Sequence, residues 1–215
     1  MLSRSRLYTK KEPDRDARLF ILFAEGEKTE RNYFNYFNQI SSRIRIEVAP
    51  LTDGRNSPGG LFDTATMLIH PNDGTAPKYD LRAGDEVWFI IDTDQWGPAI
   101  AQLRTSVSGH PGWHIAQSNP CFEVWLYYHF EDAVPQLAQM EVGGHWKQYM
   151  NDVCGGFDCR KHPIFLERAI ENSRNNFSGT VGNPGLASTE LHVLGTRILP
   201  LVKDTLDAAL QVAGF

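Results

Sequence analysis

Short apolar runs alternate with segments of helical periodicity along the first 130 residues. The runs at 18–24 (RLFILFA) and 86–91 (EVWFII) are continuous, which predicts strands buried on both faces. Residues 43–49 alternate apolar and polar side chains and predict a strand with one polar face, and residues 113–117 predict a short fourth strand. Helices are predicted after each strand, the first beginning at a Thr29 cap and the others at 61–69, Pro98–Val107 and Cys121–Phe130. This alternation predicts an α/β fold with a mainly parallel sheet flanked by helices.

The pattern is weaker in the second part of the chain. Residues 131–160 look irregular, two helices are predicted over 161–177 and 190–212, and a Gly/Ser/Asn-rich loop is predicted over 178–189. Pro200 predicts a kink in the last helix, because proline has no backbone N–H to donate. We therefore expect three parts: a basic N-terminal arm (1–17), an α/β core (18–130) and a helical C-terminal elaboration packed on the core (131–215).

Composition excludes several classes of protein. With 41% hydrophobic and 22% charged residues in 215, the chain is neither disordered, collagen-like nor a disulfide-stapled mini-protein. Its apolar runs are far shorter than the roughly 18 residues that span a bilayer. The first residues lack the apolar core of a signal peptide, and three cysteines are too few and too odd in number for a disulfide framework. These features predict a cytoplasmic protein.

Charge is distributed unevenly along the chain. Residues 1–18 carry six Lys or Arg and three acidic residues, a net charge of +3, whereas the whole chain carries −5. The remaining residues therefore carry −8. A basic arm on an acidic body suits contact with a polyanion such as nucleic acid, and it also fits a simple solvated tail.

Acidic residues follow three of the predicted strands. Glu25 and Gly26 follow the first strand, Asp92 and Asp94 follow the third, and Glu123 lies in the first turn of the helix after the fourth. In an open parallel sheet, ligands bind beyond the carboxyl ends of the strands. A single acid at such a position is usually a surface or turn residue. The combination predicts a site for Mg²⁺ or Mn²⁺, ions that prefer oxygen ligands and serve phosphodiester chemistry.

The segment SNPCFEVW is predicted to open a helix at the same edge. Asn119 is a favourable N-cap residue and Pro120 a favourable first helical residue. Free N–H groups at such a helix start bind phosphate, which makes Asn119 a candidate substrate-binding residue. Glu123 has two interpretations, as a metal or catalytic ligand and as a carboxylate stabilised by the helix dipole.

Other motifs carry less weight. AEGEKTE lacks the glycine spacing of a nucleotide-binding P-loop, and no G-x-S-x-G nucleophile motif occurs. Trp96 follows Asp94 and fits either base stacking or a loop anchor. A zinc site is a minor alternative, because the spacing of its four candidate ligands is loose. Those candidates are His145, Cys154, Cys159 and His162.

Three stretches carry a family resemblance. FAEGEKTERNYF, FIIDTDQW and SNPCFEVWLYYHF resemble the RloB-like family, and STELHVL at 188–194 fits its C-terminal part. A strand ending in Glu and a later strand ending in Asp-x-Asp also look like the topoisomerase–primase (TOPRIM) motif pair. The resemblance implies a TOPRIM-like sheet in a small prokaryotic protein, often encoded beside a partner ATPase in phage-defence or restriction-linked loci.

The resemblance also implies residue roles. Glu25 corresponds to the TOPRIM glutamate, a general acid/base or metal ligand, and Asp92 and Asp94 correspond to the metal-binding aspartates. Lys28 and Asn119 lie in the matching stretches and are assigned to substrate binding. Trp96 stands where some TOPRIM proteins have a third aspartate. A second metal ion would then need an oxygen from Glu123, Glu27 or Glu30.

Two functions are compatible with these features. The first is a metal-dependent nuclease that acts on DNA or RNA as the effector of an antiviral defence module with a partner ATPase. In that function Asp92 and Asp94 hold the metal ion against the phosphate, and Glu25 orients or deprotonates a water or protonates the leaving oxygen. The alternative is a non-catalytic subunit that binds nucleic acid or the ATPase. The acidic body favours dependence on a partner in either case.

Overall fold

The central sheet has five strands in the part of the chain that the structure describes. A computed structural model of the chain describes residues 17–26, 28–50, 55–72, 74–93, 96–136 and 143–214. Four parallel strands are β1 (Arg18–Ala24), β2 (Ile44–Val48), β3 (Glu86–Asp92) and β4 (Trp113–Asn119), and β7 (Ser188–Thr189) pairs antiparallel to β4. The spatial order is β2-β1-β3-β4-β7. The predicted mainly parallel α/β sheet is therefore confirmed.

Seven α-helices surround this sheet within the described ranges. They are α1 (Thr29–Ile40), α2 (Pro58–Ile69), α3 (Gly97–Ser108), α4 (Glu123–Tyr127), α5 (Gly143–Cys154), α6 (Leu166–Asn175) and α7 (Leu191–Ala213). A short 3₁₀ helix, His162–Phe165, precedes α6, and a two-stranded ribbon consists of β5 (Gly179–Thr180) and β6 (Asn183–Pro184). No helix in these ranges is both long and apolar enough to cross a membrane.

The buried strands β1 and β3 face two hydrophobic clusters. Alternate residues such as Phe20 and Leu22 pack with α1 and α4–α7, whereas Ile21 and Phe23 pack with α2 and α3. A strand buried on both faces needs apolar side chains at nearly every position. The continuous apolar runs in the sequence meet this need. The C-terminal helices thus cover one face of the sheet and share a core with it.

Several predicted elements differ from the structure. Residues 131–160 are not irregular throughout, because α5 lies within them, and the predicted loop at 178–189 contains β5, β6 and β7. Thr29 is the first residue of α1 and not its cap. The predicted last helix, in contrast, is confirmed over Leu191–Ala213 and contains Pro200. The arm at 1–17 lies outside the described residues except for its last residue.

The helix predicted over Cys121–Phe130 is present but shorter, and its predicted Asn119 cap is wrong. The helix is limited to α4, and Asn119 is the last residue of β4. Asn119 is extended because it pairs with Ser188 of β7, and its side-chain Nδ2 donates to the carbonyl oxygen of Pro184 at 2.9 Å. The Asn119–Pro120 peptide is cis. Because α4 begins at Glu123, Pro120 is not the first residue of a helix.

Candidate active site

Two predicted acids lie at the same edge of the sheet on neighbouring strands. Ala24 of β1 is opposite Ile90 of β3, and the Glu25 N–H donates to the Ile90 carbonyl at 3.3 Å. The chain therefore leaves β1 at Glu25, beside the last residues of β3. Strand β3 ends at Asp92. Because parallel strands end at one edge, both carboxylates belong to the edge where α/β proteins bind ligands.

Glu123 joins this edge from β4. Asp92 is opposite Ser118, and two residues beyond the end of β4 the buried Cys121 leads to Glu123, the first residue of α4. Burial raises the pKa of the Cys121 thiol, and the negative charges of Glu123 and Asp92 raise it further. The thiol thus lies near both carboxylates and stays protonated at neutral pH.

Glu30 is a fourth acid at the same edge. It lies in the first turn of α1 and is only 6% exposed. A Cβ atom at position 26 would lie 2.2 Å from both Glu30 carboxylate oxygens, so the carboxylate packs directly over Gly26. Burial raises the pKa of Glu30, and the charge of Glu123 raises it further, against backbone hydrogen bonds and Lys147, which lower it. Glu30 therefore lies within electrostatic reach of Glu123.

A lysine from the C-terminal half balances part of this negative charge. Lys147 of α5 places its Nζ 3.7 Å from Oε1 of Glu123, and its side chain is 74% exposed. The acids are buried or half-buried, so Lys147 is a cation between the carboxylates and solvent. Sequence reasoning missed it because 131–160 was interpreted as irregular. Trp146 and Met150, both buried and four residues apart, were the available helical signal.

Thr93, which follows Asp92, is held by hydrogen bonds from three directions. Its N–H donates to the carbonyls of Ser118 and Pro120, both at 2.9 Å, and its hydroxyl donates to the Ser118 carbonyl at 2.7 Å. The same hydroxyl accepts from Nε2 of Gln117 at 2.8 Å. These bonds fix the backbone where it leaves β3 and so fix the direction of Asp92.

A buried ion pair supports Gln117 in turn. Nη2 of Arg104 donates to Oε1 of Gln117 at 2.8 Å and to Oε2 of Glu190 at 2.7 Å. Glu190 also accepts from the backbone N–H groups of Gln117 and Gly182, at 3.1 and 2.6 Å. Glu190 is the acid of STELHVL and follows β7 directly. This segment therefore adds a strand to the sheet. It also connects α3 to the sheet edge that carries Glu25, Glu30, Asp92 and Glu123, which we call the acidic edge.

The other candidate residues have mixed outcomes. Asp94 lies outside the described residues, as does Glu27. Lys28 is exposed directly before α1, and Asn119 is used in the sheet contact described above. Among the described residues, no three His, Cys, Asp or Glu side chains are grouped so that they could hold a metal ion. This applies to the four zinc candidates and also to Glu25, Asp92 and Glu123, which lie at one edge but are not grouped around a common position for an ion.

Comparison with known proteins identifies the family. The family model of RloB-like proteins matches residues 20–203. The chain belongs to the RloB-like family. In this RloB-like protein, the matched range contains Glu25, Glu30, Asp92, Glu123 and Lys147. No curated protein and no solved structure matches the chain.

The pKa of Glu30 gives a pH prediction for this RloB-like protein. A carboxyl whose pKa is raised by folding binds its proton more tightly in the folded state. Its contribution to stability is therefore fully present below the ordinary pKa of 4.5 and is lost as the pH rises through the folded value. We expect Glu30→Gln to unfold at higher urea concentration than the wild type at about pH 8, and at a similar concentration at about pH 4.

The urea comparison is made in EDTA, so that no bound divalent ion contributes to stability. The difference between the two proteins then reports on Glu30 alone. His129 is buried and its pKa is lowered to about 3, but it titrates equally in both proteins. Asp63→Asn, an exposed change on α2, is the control and leaves the midpoint unchanged at both pH values. A Glu30→Gln protein less stable than the wild type at about pH 8 would contradict the proposed crowding of carboxylates.

Proposed function

We propose that this RloB-like protein is a metal-dependent nuclease that hydrolyses phosphodiester bonds of DNA or RNA. The observation that carries the proposal is the placement of Glu25, Asp92, Glu123 and Glu30 at one edge of the sheet. Buried carboxylates repel one another, and a cation among them relieves that repulsion. An acid with a raised pKa, such as Glu30, among other carboxylates at a ligand-binding edge is more typical of a reaction centre than of a structural contact.

The donor set fits Mg²⁺ or Mn²⁺, because every proposed ligand is a carboxylate oxygen. Glu25, Asp92 and Glu123 are the proposed ligands among the described residues. These three are not grouped closely enough to hold an ion by themselves, so the proposed set depends on Asp94, which lies outside the described residues. A bound Mg²⁺ or Mn²⁺ would lower the pKa of a water and stabilise negative charge on the phosphate. This assignment extends the TOPRIM-like interpretation of the strand-end Glu and Asp-x-Asp.

The protein side chains have separate roles in this proposal. Glu25 accepts a proton from the attacking water or returns one to the leaving oxygen. Glu30 holds a proton more readily than an ordinary glutamate and limits the negative charge of the edge. Lys147 is exposed beside Glu123, where its ammonium would meet an incoming phosphate.

We propose that the nuclease is the effector of an antiviral defence module and works with a partner ATPase. The acidic body supports this dependence, because phosphate binding needs Lys and Arg and the residues beyond the arm carry −8. The same observation favours the second candidate function, a non-catalytic subunit that binds nucleic acid or the ATPase. We also propose a cytoplasmic location, since Cys121, Cys154 and Cys159 are free thiols.

Cleavage by the purified protein distinguishes the two functions. The protein is incubated with single-stranded and duplex DNA and RNA, with Mg²⁺, Mn²⁺ or EDTA, in the presence and absence of the ATPase. Products that require a divalent ion support the nuclease. Binding of nucleic acid or of the ATPase without cleavage under every condition supports the non-catalytic subunit.

A further inference from the structure

Two neighbouring surface pockets lie next to α1. Pockets of about 530 and 640 Å³ share Tyr36 and Arg160 as a common wall. The first is lined by amide side chains of α1, including Asn32 and Asn35, and the second by an aromatic and basic surface. We call these two pockets together the α1 groove.

The second pocket combines aromatic rings with cations. Phe130, Phe165 and Ile164 form its apolar part, and the guanidinium of Arg168 lies 4.8 Å from the Phe165 ring centroid. Arg160 and Lys161 border the same pocket. Aromatic rings and guanidinium planes stack on nucleobases, while the cations bind phosphates.

The charge of the second pocket contrasts with that of the rest of the protein. Its described lining contains Arg160, Lys161 and Arg168 but no Asp or Glu. Asp158 lines the first pocket, with its carboxylate 3.1 Å from Nε of Arg160 and 4.0 Å from Nζ of Lys161. One carboxylate against three cations leaves a local positive charge on an acidic body, which suits a polyanion.

The groove begins beside the proposed active site. The Cys159 Sγ lies 3.9 Å from the carbonyl oxygen of Thr29, the residue before Glu30, so the 157–160 segment lies against the start of α1. From Asn32 to Gln39 the first pocket then follows α1 for about 10 Å, at 1.5 Å per residue. The first pocket thus starts at Asn32, two residues along α1 from Glu30, and adjoins the basic aromatic pocket at Tyr36 and Arg160.

We infer that the α1 groove binds a single-stranded segment of the nucleic-acid substrate and leads it to the acidic edge. This inference rests on the proposed nuclease function. Unstacked bases are needed to stack on the rings that line a pocket, and a duplex keeps its bases inside. The amides of Asn32, Asn35 and Gln39 supply donors and acceptors for sugar and base edges between the two ends.

Binding of labelled oligonucleotides in EDTA tests the inference without interference from cleavage. The full chain is compared with Lys161→Gln/Arg168→Gln, with Phe165→Leu and with a control, Lys78→Gln/Arg82→Gln. The control removes two exposed cations near the opposite cluster, which contains Tyr79. Single-stranded DNA, single-stranded RNA and the matching duplexes are titrated at several salt concentrations, and melting curves confirm that each variant folds.

We expect the wild type to bind single strands more tightly than duplexes. The Lys161→Gln/Arg168→Gln protein should lose about 1.4 from the slope of log K against log salt, or ~0.7 for each phosphate contact. Phe165→Leu should bind about tenfold more weakly with an unchanged slope, because it loses stacking and no charge. The control should match the wild type.

Unchanged single-strand binding in both groove variants, or a preference for duplex, overturns the inference. Loss of ATPase co-purification with unchanged oligonucleotide binding also overturns it, and identifies the groove as a protein-docking surface. Failure of the nuclease proposal gives a different result, because weakened binding in the groove variants would then accompany an absence of cleavage in every protein.

Discussion

Replacing Asp92 with Asn is expected to reduce divalent-ion-dependent cleavage by at least ~100-fold, since even partners that only orient a metal ligand affect activity by 10- to 100-fold. Asp92 ends β3 at the centre of the acidic edge and lies close enough to Cys121 to raise the pKa of its thiol. The amide of Asn keeps the size of the side chain but removes its charge. Cleavage rates of Asp92→Asn and of the exposed control Asp63→Asn, measured side by side, check the prediction.

The same variant should remain folded. Without a divalent ion the carboxylates repel one another, so the loss of one charge leaves stability unchanged or raises it. For the wild type, Mg²⁺ at 100 times its Kd adds about 2.7 kcal/mol of stability. This corresponds to a rise in Tm of roughly 5–10 °C for a chain of this size. Asp92→Asn should show no such rise, and an unfolded Asp92→Asn protein would show that Asp92 is mainly structural.

Replacing Glu190 with Gln is expected to lower the free energy of unfolding by about 3 kcal/mol, because it leaves Arg104 without its charged partner in a largely buried position. The Glu190 side chain is 5% exposed and the Arg104 side chain is 26% exposed. Glu167→Gln is the matched control, since its ion pair with Lys203 is about half exposed and contributes at most ~1 kcal/mol. Urea denaturation of the two variants measures the difference.

The Arg104→Gln/Glu190→Gln protein completes a double-mutant cycle. If the two side chains act as a pair, the double variant should lose less stability than the sum of the single variants. Additive losses would contradict the assigned pairing. We also expect Glu190→Gln to slow cleavage at temperatures where it is fully folded, because Glu190 supports Gln117 and thereby Thr93.

The elements with the strongest local patterns were predictable from sequence. The runs at 18–24 and 86–91 are apolar at almost every position, and such strands must be covered on both faces. From those strands alone, Glu25 and Asp92 could be assigned to the same edge, as the pairing of Ala24 with Ile90 confirms. The resemblance to RloB-like proteins, carried by short stretches around these residues, is confirmed by the family match.

The missed features depend on contacts between distant segments. Glu190 pairs with Arg104, 86 residues earlier in the chain, and nothing in the local pattern of either segment indicates that contact. Asn119 has the residue type of a helix cap, but its pairing with Ser188 keeps it in a strand. Lys147 lies on a helix with a weak apolar stripe, and its position beside Glu123 follows only from how α5 packs against α4.

The position of a bound metal ion tests the central claim most directly. Crystals grown with Mn²⁺ can be measured at the manganese absorption edge, where anomalous scattering locates the ion independently of any assumed ligand. We predict an anomalous peak at the edge formed by Glu25, Asp92 and Glu123, with Asp94 completing the ligand set, and no peak there in Asp92→Asn. A peak elsewhere, for instance at Asp158, with none at this edge would contradict the assignment.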